Sequence, residues 1–277
     1  MKDNIDSRNK LNDLSGKEWL QLSRSWWYQK GLGRNHKETR IEIQHPAPFS
    51  FQDIQKLIRQ LTKPGMTVLD PFCGISSTLK AAALCGRNAI GIEISPKWVK
   101  LGKERLIKEI PKTKRNSVKL KIIRGDCLKI LPSIQSKSID FIITSPPYWK
   151  ILNKNPDYKI KAARLKKKLA TRYSRSPSDL GNIEEYDEFL NSLLLIIKEC
   201  RRILRKGSYM SIIVSDFRNG SQFYPFHMDV VNLGKKAKLS LKGILILIQN
   251  DKSLFPYGYP YAFVQNIHHQ YSIILQK

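Results

Sequence analysis

The residues Phe141-Ile142-Ile143-Thr144-Ser145-Pro146-Pro147-Tyr148-Trp149 join an apolar run to two prolines and an aromatic pair. The run reads as a buried strand, Ile139 to Ile143. The prolines cannot continue its ladder, so the backbone beyond Thr144 is stiff and irregular. That loop presents a serine hydroxyl, a free carbonyl and aromatic faces, a set suited to holding a planar base. Earlier, Val68-Leu69-Asp70-Pro71-Phe72-Cys73-Gly74-Ile75-Ser76-Ser77-Thr78 repeats the order strand, loop, helix start. Glu93 and Asp126 close two further apolar runs. One such acid alone reads as a helix cap, but Asp70, Glu93 and Asp126 in register beside a glycine loop read as a ligand site. A carboxylate after the second strand can accept both hydroxyls of a ribose, which assigns that work to Glu93. The first loop carries one glycine, Gly74, and no lysine at P-loop spacing. A cofactor with a nucleoside but no phosphates follows.

These residues need elements to bring them together. Gln52 to Leu61 has helical apolar spacing, and Lys63-Pro64-Gly65 ends it before a strand at Thr67 to Leu69. Helix Thr78 to Leu84, strand Asn88 to Ile92, a helix from Ser95-Pro96 to about Ile110, and strands Lys119 to Ile123 and Ile139 to Ile143 continue the alternation. It resumes with helix Tyr186 to Leu204, strand Tyr209 to Val214, helix Phe226 to Lys238, and strands Ile244 to Ile248 and Tyr271 to Leu275. The last two, separated by a Tyr/Pro-rich loop, suit an antiparallel hairpin at the sheet edge. The expected fold is α/β, a Rossmann-like doubly wound, mostly parallel sheet of about seven strands with ligands at the strand carboxyl ends. Before it, Ser15 and Glu18 form a capping-box pattern, and Trp19 and Trp26-Trp27-Tyr28 read as packing aromatics.

The 277 residues carry 49 Lys+Arg against 23 Asp+Glu, a formal charge of +26. Such an excess is the footprint of a polyanion partner, nucleic acid first. It is uneven. From Lys150 to Arg175 ten basic residues face the single acid Asp157, and apolar periodicity breaks down. Cys73, Cys85, Cys127 and Cys200 form no C-x-x-C pair, and His268-His269 lacks a third ligand nearby, so neither a metal nor a disulfide is expected. With no signal-peptide core and no long uncharged apolar run, the expectation is a soluble cytoplasmic protein.

Asp70-Pro71-Phe72-Cys73-Gly74, Gly91-Ile92-Glu93, Asp126 and Thr144-Ser145-Pro146-Pro147-Tyr148, preceded by His45-Pro46-Ala47-Pro48-Phe49, resemble the S-adenosylmethionine-dependent DNA amino-methyltransferases that modify cytosine N4 or adenine N6. The resemblance runs from His45 to the C-terminus, outside the basic insertion. It implies a class I methyltransferase-like fold. It also implies that the loop Asp70 to Gly74, with Phe72 and Cys73, holds the methionine part of S-adenosylmethionine. Glu93 would hold the ribose, Asp126 with Cys127 would lie near the adenine, and His45 and Phe49 would wall the pocket. The family's second loop glycine falls here on Ser76. Its Cβ is expected to narrow the approach of backbone to ligand, and a positive φ there would cost about 1 kcal/mol. The organisation expected is an N-terminal extension (1–44), a cofactor and catalytic half (45–149), a basic insertion (150–183) and the second half of the sheet (184–277).

The implied catalytic loop is Ser145, Pro146, Pro147 and Tyr148. An exocyclic amine is a poor nucleophile because its lone pair is delocalised, so acceptors must engage its N–H bonds; Ser145 Oγ and the Pro146 carbonyl suit this. The base must leave the duplex and stack, on Tyr148 and with help from Trp149. Lys150, Lys166, Lys167, Lys168, Arg172, Arg175 and Arg218 are the candidate DNA contacts. Serine before the prolines is the form the family more often associates with N4-cytosine, and N6-adenine is the alternative. The partners implied are double-stranded DNA and, in a restriction-modification system, a cognate endonuclease. Two other classes stay open: an RNA or protein amide methyltransferase, and an inactive DNA-binding homologue.

Overall fold

Ser15 and Glu18 act as their spacing predicts, each accepting from the other's backbone amide and so starting α1 (Gly16–Leu22). A computed structural model describes residues 5–29, 39–42, 44–46, 50–150, 165, 174, 176–250 and 252–277. After α1 come β1 (Trp26–Tyr28), α2 (Thr39–Glu42), α3 (Phe51–Leu61), β2 (Thr67–Asp70), α4 (Ser77–Leu84) and β3 (Asn88–Glu93). α5 (Pro96–Glu109), α6 (Lys112–Asn116), β4 (Leu120–Arg124), α7 (Cys127–Ile130) and β5 (Ile139–Thr144) complete the first half. The second half holds α8 (Tyr186–Ile203), β6 (Leu204–Val214), the hairpin β7 (Phe217–Asn219) and β8 (Gln222–Tyr224), α9 (Phe226–Lys236), β9 (Ser240–Ile248) and β10 (His269–Gln276).

Eight strands form one sheet in the order β1-β9-β10-β6-β5-β2-β3-β4. β2 to β6 run parallel, and β10 runs antiparallel to both its neighbours. From β2 the chain winds outward through β3 and β4, then returns to the other side of β2 as β5. That reversal, between β2 and β5, is where an open α/β sheet leaves a crevice at its carboxyl ends.

Both sheet faces are covered, as parallel strands require. Alternate side chains divide between two cores: Val68, Phe141 and Ile143 pack with α3 and α4, whereas Leu69, Ile139 and Ile142 pack with α8 and α9. Behind α4 lies a buried ion network. Glu109 Oε2 accepts from Lys80 Nζ at 2.7 Å and from Arg105 Nε at 2.8 Å, and Arg105 also reaches Glu42 at 3.1 Å.

Two expectations change. Among the described residues the sheet has eight strands, because the Trp26-Trp27-Tyr28 triplet pairs parallel with β9 and buries only Trp27. The β9–β10 pair is antiparallel but not at the edge, since β1 covers β9 and β10 lies inside. Among the described residues, no helix is long and apolar enough to cross a membrane.

Candidate active site

Asp70 ends β2 and Thr144 ends β5, and the two meet across the crevice. Thr144 Oγ1 donates to Asp70 Oδ1 at 2.7 Å, the Phe72 amide donates to the same oxygen at 3.0 Å, and the Thr78 hydroxyl donates to Oδ2. Burial raises the Asp70 pKa against these donors. With three donors already in place, Asp70 ties the first loop to β5 and α4.

Glu93 ends β3 with its carboxylate turned back on the same loop. Oε2 accepts from the Gly74 amide at 3.0 Å and Oε1 from the Ser95 amide at 2.7 Å. Burial nevertheless pushes its pKa up to about 7, so this is an acceptor still short of donors. Gly74, at φ 50°, lets the loop close on His45: a Cβ there would stand 3.1 Å from His45 Nε2. His45 in turn sets its ring edgewise on Trp98, centroids 4.9 Å apart. Asp126 caps α7, accepting from the Leu128 amide at 2.9 Å. Burial is the main cause holding both neighbouring thiols protonated, Cys127 up to about 12 and Cys73 well above its ordinary value. Neither is a nucleophile.

Ser76 does adopt the left-handed conformation, at φ 66° and ψ 33°. Ser76 is, however, not among the residues that line the cleft. Its side chain turns to α5, where a Cβ on Gly102 would lie 2.5 Å from Ser76 Oγ. The hydroxyl is buried beside the Cys73 thiol without a well-formed hydrogen bond.

Ser145, Pro147 and Tyr148 line one cleft with His45, Asp70, Phe72, Cys73, Gly74, Glu93, Asp126 and Cys127; its volume is about 1110 Å³ counting the open mouth. Pro146 is buried. The Tyr148 hydroxyl accepts from Gln270 Nε2 at 3.1 Å, and burial raises its pKa. Trp149 stands apart from its assigned role, being 6% exposed and packed on Tyr186 and Tyr224 with centroids 5.2 and 5.4 Å away. Lys150 pairs with Glu184 at 2.7 Å, and Arg218 lies over the Phe223 ring at 5.1 Å. Phe49, Lys166, Lys167, Lys168, Arg172 and Arg175 lie outside the described residues.

Sequence reading missed two walls of the cleft. Ser178, Asp179 and Leu180 line it from the span set aside as insertion, and Gln270 lines it from β10. The Asp-x-Gly turn, in which Asp179 Oδ1 accepts from the Gly181 amide at 2.9 Å, was the local signal for the first. No local signal marks Gln270.

The residues present fit S-adenosylmethionine. A desolvated carboxylate that lacks donors suits a ribose diol, and the Gly74 approach leaves a loop closed by His45 on one side of it. Glu93 would hold the ribose, with Asp126 and the first loop on either side. Among the described residues no three His, Cys, Asp or Glu gather as a metal site.

Comparison with known proteins agrees with this geometry. Residues 1–104 match the DNA methylase family model and residues 62–238 match a methyltransferase domain model. Type II methyltransferase M.BglI of Bacillus subtilis is 38% identical over 96 residues, covering 34% of this chain and 26% of that protein. Type II methyltransferase M.BglII, also of Bacillus subtilis, is 30% identical over 121 residues, covering 44% of this chain and 32% of that protein. DNA adenine methyltransferase YhdJ of Escherichia coli (strain K12) is 39% identical over 62 residues, covering 22% of this chain and 21% of that protein. The matches thus span a third or less of each relative's length. The domain model, by contrast, takes in most of the chain, from just before β2 through β3, β5 and β6 into the turn after α9, and so includes the strand ends at Asp70, Glu93 and Thr144: the chain belongs to the methyltransferase-domain family.

Proposed function

We propose that this chain is a DNA methyltransferase of restriction-modification type that moves the methyl group of S-adenosylmethionine to the exocyclic N4 amine of a cytosine flipped out of double-stranded DNA, leaving S-adenosylhomocysteine. The observation that carries it is the Ser145 to Tyr148 loop at the β2–β5 crevice, lining one cleft with Glu93 and Asp126. Bound S-adenosylmethionine supplies a methyl group on a sulfonium, a leaving group that needs no acid catalysis.

The protein's share is positioning. Ser145 Oγ and the Pro146 carbonyl accept hydrogen bonds from the amine's two N–H groups, which turns its lone pair out of the ring, and the methylated nitrogen then releases one proton to solvent. Tyr148, edge-on to Phe226 with centroids 6.0 Å apart and hydrogen-bonded to Gln270, offers a fixed ring for the base to stack on. A fixed partner loses little entropy when the base arrives. The DNA methylase match, the type II relatives and the +26 charge support DNA as substrate, and this reading carries a cognate endonuclease with it.

The second reading is N6-adenine, favoured by the similarity to YhdJ. The same two acceptors serve either amine. Mass spectrometry of nucleosides from plasmid DNA incubated with the protein and labelled S-adenosylmethionine separates them. N4-methylcytosine is expected, N6-methyladenine overturns the base assignment, and no labelled base overturns the reading. Tyr148→Ala is expected to lose at least about tenfold in methylation of duplex DNA, the value of one base–aromatic stack.

A further inference from the structure

β9 and β10 pair antiparallel with His269 opposite Ile248, and a hairpin of that kind closes with very few residues. This chain instead runs from Gln249 to His268 before returning. The excursion has a pinned neck. Asn266 accepts from the Phe255 amide at 3.1 Å and donates to the Phe255 carbonyl at 2.7 Å, and Lys252 Nζ donates to the Ile267 carbonyl at 2.8 Å. Above it the Tyr261 and Ala262 amides both donate to the Gly258 carbonyl, curling the tip.

On this tip Tyr259, Tyr261 and Phe263 are 81, 94 and 89% exposed. Side chains of this size are ordinarily far more buried. β10 opposes β6, and β9 opposes β10, so the excursion leaves the sheet at the carboxyl-end side that bears the Ser145 to Tyr148 loop. Gln270, two residues beyond His268, holds the Tyr148 hydroxyl, so the neck adjoins the reacting loop.

We infer that the 255–266 loop is a wedge whose aromatics Tyr259, Tyr261 and Phe263 stack on DNA bases beside the target nucleotide. The inference rests on the DNA reading above. Three uncharged rings on a chain of +26 divide the work: lysines and arginines elsewhere meet phosphates, and the tip meets the broad apolar faces of the bases. A base drawn from a duplex leaves such faces open, and aromatic side chains fill gaps of this kind.

The test measures fluorescence anisotropy of plasmid-derived duplex fragments over a range of NaCl concentrations. It compares the wild type with the triple variant Tyr259→Ala, Tyr261→Ala, Phe263→Ala, with calorimetric S-adenosylmethionine binding as the check on folding. The expected result is an affinity at least about tenfold weaker at every salt concentration. The slope of log K against log salt should be unchanged, because stacking releases no counterions. Tyr259→Phe and Tyr261→Phe should stay near the wild type, since the ring survives. A triple variant that binds duplex as the wild type does overturns the wedge and leaves the DNA reading intact. A wild type that neither binds nor methylates duplex overturns both. Unchanged DNA affinity, with loss of self-association in sedimentation or of binding to phosphatidylglycerol vesicles, overturns the wedge in favour of a second copy or a membrane surface.

Discussion

Glu93 illustrates how one side chain can be prepared for a ligand. Its pKa is raised above the ordinary 4.5 to about 7, with burial the largest cause. The neutral acid is therefore the form the empty fold prefers: its contribution to stability is full below 4.5 and is lost as pH rises through about 7. A ribose diol needs the opposite, an ionised acceptor. Cofactor affinity should then climb by up to about tenfold per pH unit from pH 5.5 and level off above about 7. In Glu93→Gln the climb should vanish, leaving only the cofactor's own titration, and calorimetry from pH 5.5 to 8 reads both. A wild-type profile parallel to that of Glu93→Gln would remove Glu93 from the ribose site. Ser76 shows the reverse case, a residue that sits in a ligand loop and serves packing. Its positive φ carries strain, but its side chain faces Gly102 rather than the cleft. Ser76→Gly should raise stability by about 1 kcal/mol in urea unfolding and leave S-adenosylmethionine affinity within about twofold. A large change in affinity would mean that the hydroxyl reaches the ligand after all.

At the scale of elements, the cofactor loop is only as fixed as the helices behind it. Lys80 on α4 and Arg105 on α5 are 1% and 0% exposed, and both lean on Glu109. Glu109→Ala would remove the carboxylate that two buried cations share, although Arg105 keeps Glu42, and urea unfolding should show a loss of about 3 kcal/mol. Replacing Lys80, Arg105 and Glu109 together by apolar residues of like size should cost far less, because the desolvation goes with the charges. The elements that carry local patterns were legible in the sequence: the α1 capping box, the Pro96 start of α5, and the strand ends at Asp70, Glu93 and Thr144. What was not legible depends on distant partners. β1 is three residues long and becomes a strand only because β9 offers it an edge. Trp149 looked like a base-stacking surface beside Tyr148, yet its neighbours Tyr186, Phe217 and Tyr224 come from far along the chain and bury it. Gln270 enters the cleft only because β10 inserts between β9 and β6. Local spacing found the residues that touch the cofactor loop, and tertiary pairing chose the rest of the wall.

Over the whole molecule the net charge of +26 makes binding to a polyanion strongly dependent on salt. Trp149, at φ 27°, sits in its aromatic cluster directly after the Ser145 to Tyr148 loop, and Lys150 beyond it is paired with Glu184. On the proposed DNA reading, the densest supply of charge for phosphates is further along the sequence, at Lys166-Lys167-Lys168. Each phosphate neutralised by a lysine contributes about 0.9 to the slope of log K against log salt. Replacing the three lysines with alanine should lower that slope by about 2 to 3 and weaken duplex binding most at low salt, while S-adenosylmethionine binding stays as in the wild type. The base preference of methylation should not move, because phosphate contacts carry no sequence information of their own. An unchanged slope would show that these lysines do not meet phosphates, and would leave DNA attraction to the diffuse field of the remaining charge. The slope and the affinity at fixed salt thus separate the two parts of the molecule argued to meet DNA: charge removal changes the first, and loss of the exposed aromatics changes only the second.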